Sequence, residues 1–135
     1  LATYTRPRIQ AFIPGILCFM LTFYLLTLPG SAFPEQNWFK SIQLDKWIHI
    51  GMFATLVGLF YWPYKNQWLS KSFKNKAIFI SMLALAYGIV MEFVQKNYIP
   101  NRSFDVYDIV ADGVGSFLPL FLKGWLAKKL VKTSK

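Results

Sequence analysis

The sequence predicts an all-α, polytopic membrane protein of four transmembrane helices with both termini in the cytoplasm. Three observations lead there. Hydrophobic residues fill 55% of the 135 positions and charged residues only 16%, against about 25% charged in a soluble domain. Mean hydropathy is +0.36. Four apolar runs approach the ~20 residues that a helix needs to cross a hydrocarbon core of ~30 Å. The basic residues lie in short segments between these runs. The net charge of +9 therefore forms no basic face for nucleic acid.

The first run, residues 9–28, has no charge and ends at Pro29-Gly30. Arg6 and Arg8 before it and Gly30-Ser31-Ala32 after it give it the flanks of a signal peptide, but the apolar part of a signal spans only about 7–15 residues. It reads as a span. The second, about 47–62, closes at Pro63, and the third, about 77–94, follows a basic stretch at 71–76. The fourth, 106–122, contains Pro119, a residue that kinks helices. One transmembrane domain thus occupies residues 1–135. The lone cysteine, Cys18, has no partner within the chain.

Orientation follows from the bases. Arg6, Arg8, Lys65, Lys71, Lys74, Lys76, Lys123, Lys128, Lys129, Lys132 and Lys135 belong to the ends and the middle loop, which makes eleven. The other two loops hold Lys40, Lys46, Lys96 and Arg102, four in all. Positive loops stay inside, so both termini are expected in the cytoplasm of a bacterial inner membrane. Tyr61, Trp62, Tyr64, Trp68 and Trp125 fit an inner aromatic belt, and Trp38, Trp47, Tyr98 and Tyr107 an outer one.

All six acids fall in the outer half: Glu35, Asp45, Glu92, Asp105, Asp108 and Asp112. At ~1.5 Å per residue, His49 is expected ~5 Å inside the outer surface, Glu92 ~7 Å and Asp112 ~10 Å. A charge at a helix centre costs ~2.5–3.5 kcal/mol on insertion scales, so such residues face a bundle interior or a wet cavity. The spacing lets them meet. Asp45 and His49 are i,i+4 with Lys46 alongside, Glu92 and Gln95 are i,i+3, and Asp105, Asp108 and Asp112 form one stripe. Gly113 and Gly115 beside that stripe allow close helix approach. One shared site opening outward is expected.

At these residues the chain resembles the VanZ-like family of small bacterial membrane proteins. The matching pieces are Asp45-Lys46-Trp47-Ile48-His49, Gly88-x-x-x-Glu92-x-x-Gln95, the turn from Pro100 to Asp105, and Asp108-x-x-x-Asp112-x-x-Gly115. The resemblance covers about Asp45 to Pro119, and Asp112 stands where the family usually has Asn. It implies an inner-membrane protein with a cell-envelope role, in a family named for an association with resistance to the glycopeptide teicoplanin. It implies no reaction.

Two functional readings share the residues Asp45, Lys46, His49, Glu92, Gln95, Arg102, Asp105, Asp108 and Asp112. In the first, the pocket binds an envelope lipid or peptidoglycan-related ligand, with Arg102 and Lys46 on its anionic groups and Glu92, Asp108 and Gln95 setting shape. In the second, a hydrolase or transferase uses His49 or Glu92 as catalytic base and Arg102 as an oxyanion or phosphate clamp. A third reading makes the chain a small subunit of a larger membrane complex. The structural alternatives are a His49 bonded to Asp45 or Glu92 to fix packing, an Asp105 that caps the fourth helix, and an Arg102 that neutralises Asp105 or Asp108. Glu92, Asp108, Asp112 and His49 offer ligands to a hard cation, but no metal motif is present and neither metal nor cofactor is expected. The expected partner is a membrane lipid or lipid-linked envelope component, with a membrane protein as partner in the third reading and no nucleic acid.

Overall fold

The computed structural model describes residues 6–33 and 43–133, with side chains as far as Trp125. Glu35, Trp38 and Lys40, assigned above to the outer half, lie outside the described residues, as do Lys135 and the side chains of Lys128, Lys129 and Lys132. Among the described residues there is no strand. Four helices follow one another: α1 (Ile13–Leu26), α2 (Leu44–Tyr61), α3 (Lys71–Tyr98) and α4 (Val106–Thr133). Tight 3-10 turns at Ile9–Phe12, Gly30–Ala32 and Trp62–Gln67 flank or join them.

Local chemistry sets the ends. Pro14 sits in the first turn of α1, where its missing N–H costs nothing. The Ser70 hydroxyl caps α3 by accepting from the Phe73 N–H at 3.0 Å. Asp105 caps α4 by accepting from the Tyr107 N–H at 2.8 Å, as its position before an apolar run predicts. Three helices depart from the apolar runs. α2 takes in Asp45 and Lys46, α3 takes in the basic stretch from Lys71, and α4 continues past Pro119 to Thr133. α1 is shorter than its run and stops at Leu26. A 28-residue helix is ~42 Å long at ~1.5 Å per residue, so its polar ends reach beyond a ~30 Å apolar slab.

Two stretches, Ile9–Leu26 and Lys71–Tyr98, are long and apolar enough to cross a membrane. Only 17% and 33% of their apolar windows are buried, where the core helix of a soluble protein would be mostly covered. The large side chains Leu17, Met20, Phe79 and Phe121 face outward, while Glu92, Gln95, Asp112 and Ser116 are buried. α2 and α4 carry the polar stripes, which lowers their own hydropathy.

α4 packs most extensively against α2 and next against α3, and α1 leans on α2. Glycine makes these approaches possible. A Cβ on Gly115 would lie 2.5 Å from the Ile50 carbonyl oxygen and 2.9 Å from Phe53 Cβ, and one on Gly88 would lie 2.5 Å from Asp112 Oδ2. Gly113 has only Leu85 nearby, at 3.5 Å, so the tight contact falls to Gly115 and Gly88. The apolar core is in two parts. Leu26, Phe53 and Met91 lie toward the acidic end, and Val57, Tyr61, Phe73 and Ala77 toward the basic end.

Candidate functional site

The stripe on α4 meets the head of α2 at the acidic end. Lys46 Nζ donates to Asp45 Oδ2 at 2.8 Å, and to Asp105 Oδ2 and Asp108 Oδ1 at 2.5 Å each. An ammonium has three donors, and here each meets a carboxylate. Lys46 is therefore committed within the protein, whereas the sequence reading places it on the anionic groups of a ligand. Lys46, rather than Arg102, neutralises Asp105 and Asp108; among the described residues Arg102 forms no ion pair. The Asp45, Asp105 and Asp108 oxygens lie within 4.8 Å of one another, and the ammonium occupies the position a metal ion would take. This set differs from the Glu92, Asp108, Asp112 and His49 group that the spacing offered.

One turn deeper, His49 Nδ1 lies 2.7 Å from Asp112 Oδ1. With Asp112 ionised, its carboxylate can only accept and Nδ1–H is the donor; Nε2 lies 4.0 Å from Asp108 Oδ2. The partner is Asp112, not Asp45 or Glu92, because the i,i+4 neighbour Asp45 is drawn outward to Lys46 while Gly115 brings α4 onto α2 at the level of His49. Asp112 is 1% exposed and is seated against Gly88 of α3. The same glycine-based packing thus holds both helices around the His–Asp pair.

Glu92 and Gln95, on one face of α3, are each 1% exposed and bind backbone. Glu92 Oε2 accepts the Asp105 N–H at 2.9 Å, and Gln95 Nε2 donates to the Leu26 carbonyl at 2.9 Å. Glu92 thereby orients the residue that caps α4 and pairs with Lys46. Asp105 lies outside the helices. Burial pushes its carboxyl up, but the Lys46 ammonium and the Tyr107 N–H outweigh this and hold it below the ordinary value.

A cleft of about 690 Å³ opens in front of these groups. Lys46, His49, Asp108, Asp45, Asp105 and Arg102 line it. Glu92, Gln95 and Asp112 do not, and form a buried layer behind the wall. Two turns complete the far side. The Gly30 N–H donates to the Pro100 carbonyl at 3.1 Å, and a Cβ on Gly30 would collide with the Asn101 carbonyl oxygen. Asn101 itself has φ 58°, a left-handed conformation that Asn tolerates better than most residues. Arg102 Nε donates to the Leu28 carbonyl at 3.3 Å, and its guanidinium lies 4.6 Å from the centre of the Phe33 ring. The sequence reading missed Gly30, Phe33 and Asn101 as parts of the cleft. The one signal was the Pro29-Gly30 turn, read there only as the end of a helix.

In comparisons with known proteins, no family model, no curated protein and no solved structure matches this chain.

Proposed function

We propose that the chain is a four-span inner-membrane protein, with both termini cytoplasmic, that binds an envelope lipid or peptidoglycan-related ligand in its outward cleft. It would then share the cell-envelope role of the VanZ-like proteins that it resembles. The observation that carries this reading is the division of labour among the cations. Lys46 is saturated by three carboxylates, whereas Arg102 lines the cleft and, among the described residues, its guanidinium makes one hydrogen bond, from Nε to a carbonyl. A planar guanidinium matches a phosphate or carboxylate by two parallel hydrogen bonds. Asp45 and Asp105 also line the cleft, and their carboxylates would accept from hydroxyl or ammonium groups of the ligand. The buried layer of Glu92, Gln95 and Asp112 fixes the backbone and the imidazole that shape the wall.

A second reading rests on His49. An imidazole that lines the cleft and is held at Nδ1 by a buried carboxylate has the arrangement of a general base. Under this reading the protein is a hydrolase or transferase acting on the same ligand.

Purified protein in lipid nanodiscs, titrated with a lipid-linked peptidoglycan precursor, separates these readings. Arg102→Ala is expected to weaken binding by about tenfold, since a charge-assisted hydrogen bond contributes ~1.5–3 kcal/mol. Unchanged affinity of the folded variant would overturn the binding role. Product formation by the wild type, lost in His49→Gln, would establish the enzyme. Loss of the Arg102 variant from the membrane would show a structural role and favour a subunit of a larger complex.

A further inference from the structure

The opposite end of the bundle carries a second cleft, of about 350 Å³, between α2 and α4. Its floor is made by Ala54, Thr55 and Gly58. The Thr55 hydroxyl is turned back to the Gly51 carbonyl at 2.8 Å, and nothing lies within 4 Å of a Cβ built on Gly58. The floor is therefore apolar and open. The mouth is formed by Trp62, Trp68 and Lys123. The Trp68 indole N–H is already donated to the Tyr61 carbonyl at 3.3 Å, which leaves Lys123 as the charged donor.

The sequence places no acidic side chain at this end. No Asp or Glu occurs between residues 46 and 91 or after Asp112. The lysines instead lie over rings: Lys123 is 4.2 Å from the centre of Phe73, Lys65 is 5.1 Å from Trp62 and Lys76 is 5.1 Å from Tyr64. A ring attracts a cation but does not neutralise it. Lys123, just past the fourth apolar run, is held below the ordinary lysine value by burial and by the nearby Lys74 ammonium. An end that carries lysines and no acidic side chain favours an anion from outside the chain. A largely apolar cleft lined by two tryptophans and one ammonium has the chemistry of a lipid site at a membrane interface.

We propose that this cleft is a binding site for one anionic diacyl phospholipid, with an acyl chain along Ala54, Thr55 and Gly58 and the phosphate at Lys123. The site is distinct from the outward cleft and shares no residue with it. It depends on the chain crossing or lining a membrane, not on what the outward cleft binds.

Native mass spectrometry of the full chain in detergent, titrated with dioleoyl phosphatidylglycerol or phosphatidylcholine, counts bound lipids directly. The wild type is expected to hold one phosphatidylglycerol in preference to phosphatidylcholine. Lys123→Gln is expected to reduce that preference about fivefold, the effect of ~1 kcal/mol per basic residue near an anionic headgroup. Gly58→Leu, whose Cβ would meet nothing within 4 Å, extends into the trough and is expected to lower binding of both lipids. A preference that survives Lys123→Gln, or binding that survives Gly58→Leu, overturns the proposal.

Discussion

The two ends of the bundle handle charge in opposite ways. At the acidic end, Lys46, three aspartates and the His49–Asp112 pair are packed into contact, and nearly every donor has a named acceptor. At the basic end, where the sequence has no Asp or Glu, lysines lie over aromatic rings. Charges that are buried together depend on one another, so that removing a single partner strands the rest. Charges spread over ring faces are nearly independent, each contributing about 0.5–1 kcal/mol at an exposed site. The acidic end is therefore expected to behave as one cooperative unit and the basic end as a set of separable contacts.

Replacing the central cation tests this most strongly. Lys46→Met keeps the length of the side chain and leaves Asp108, only 7% exposed, beside two other carboxylates. We expect a loss on the order of 3 kcal/mol, measured as unfolding in detergent by denaturant or heat. Lys65→Met at the basic end removes one cation–ring contact and is expected to cost under about 1 kcal/mol. Similar losses for the two variants would break the comparison.

A second pair of variants probes how the ends are packed. Gly115→Ala drives a methyl group into the Ile50 carbonyl and Phe53, so α4 must move off α2; overpacking of this kind costs ~1–3 kcal/mol. Gly58→Ala meets open space and is expected to gain up to ~1 kcal/mol from helix propensity. The first variant should also disturb the His49–Asp112 contact, visible as a shifted imidazole resonance by NMR, and the second should not. If Gly115→Ala is neutral in both measurements, close approach at this position is not what holds the pair together.

These contrasts also explain what could be read from the sequence. The four helices were legible because apolar runs mark the buried or lipid-facing part of each. Their ends were not, since Lys46, Lys71 and the segment after Leu122 continue a helix whose hydrogen bonds are indifferent to side-chain polarity. The stripe of Asp105, Asp108 and Asp112 followed from helical spacing alone. Which residue each acid meets did not, because partners across helices depend on the register of α2 against α4, and that register is set by where Gly115 lets the backbones touch. Spacing could not have shown that Glu92 accepts from a backbone N–H, as a main-chain donor leaves no trace in the residue types. The sequence leaves two readings of Arg102, one pairing it with the aspartates and the other placing it on a ligand. Lys46, some 60 positions away from Asp105 and Asp108, reaches them in space.

The smallest expected effect is a pH dependence confined to the acidic end. Asp105 has a folded pKa below its ordinary value, with the Lys46 ammonium and the Tyr107 N–H as the stabilising contacts. Its unfolded value is about 3.9. A carboxyl that is more acidic in the folded state contributes its full stabilisation above the unfolded pKa and loses it as the pH falls through the folded one. Acidification below about pH 4 should therefore weaken the α4 cap and the Lys46 cluster together. Asp105→Asn keeps an oxygen to accept from the Tyr107 N–H but removes the charge. The variant is expected to be less stable than the wild type at pH 7 and to approach it at pH 3, with both followed by thermal unfolding in detergent. Because the side chain is 34% exposed, solvent screening keeps the difference small. An equal gap at both pH values would mean that Asp105 acts through shape rather than charge, and the cooperative unit would then be centred on Asp108 alone.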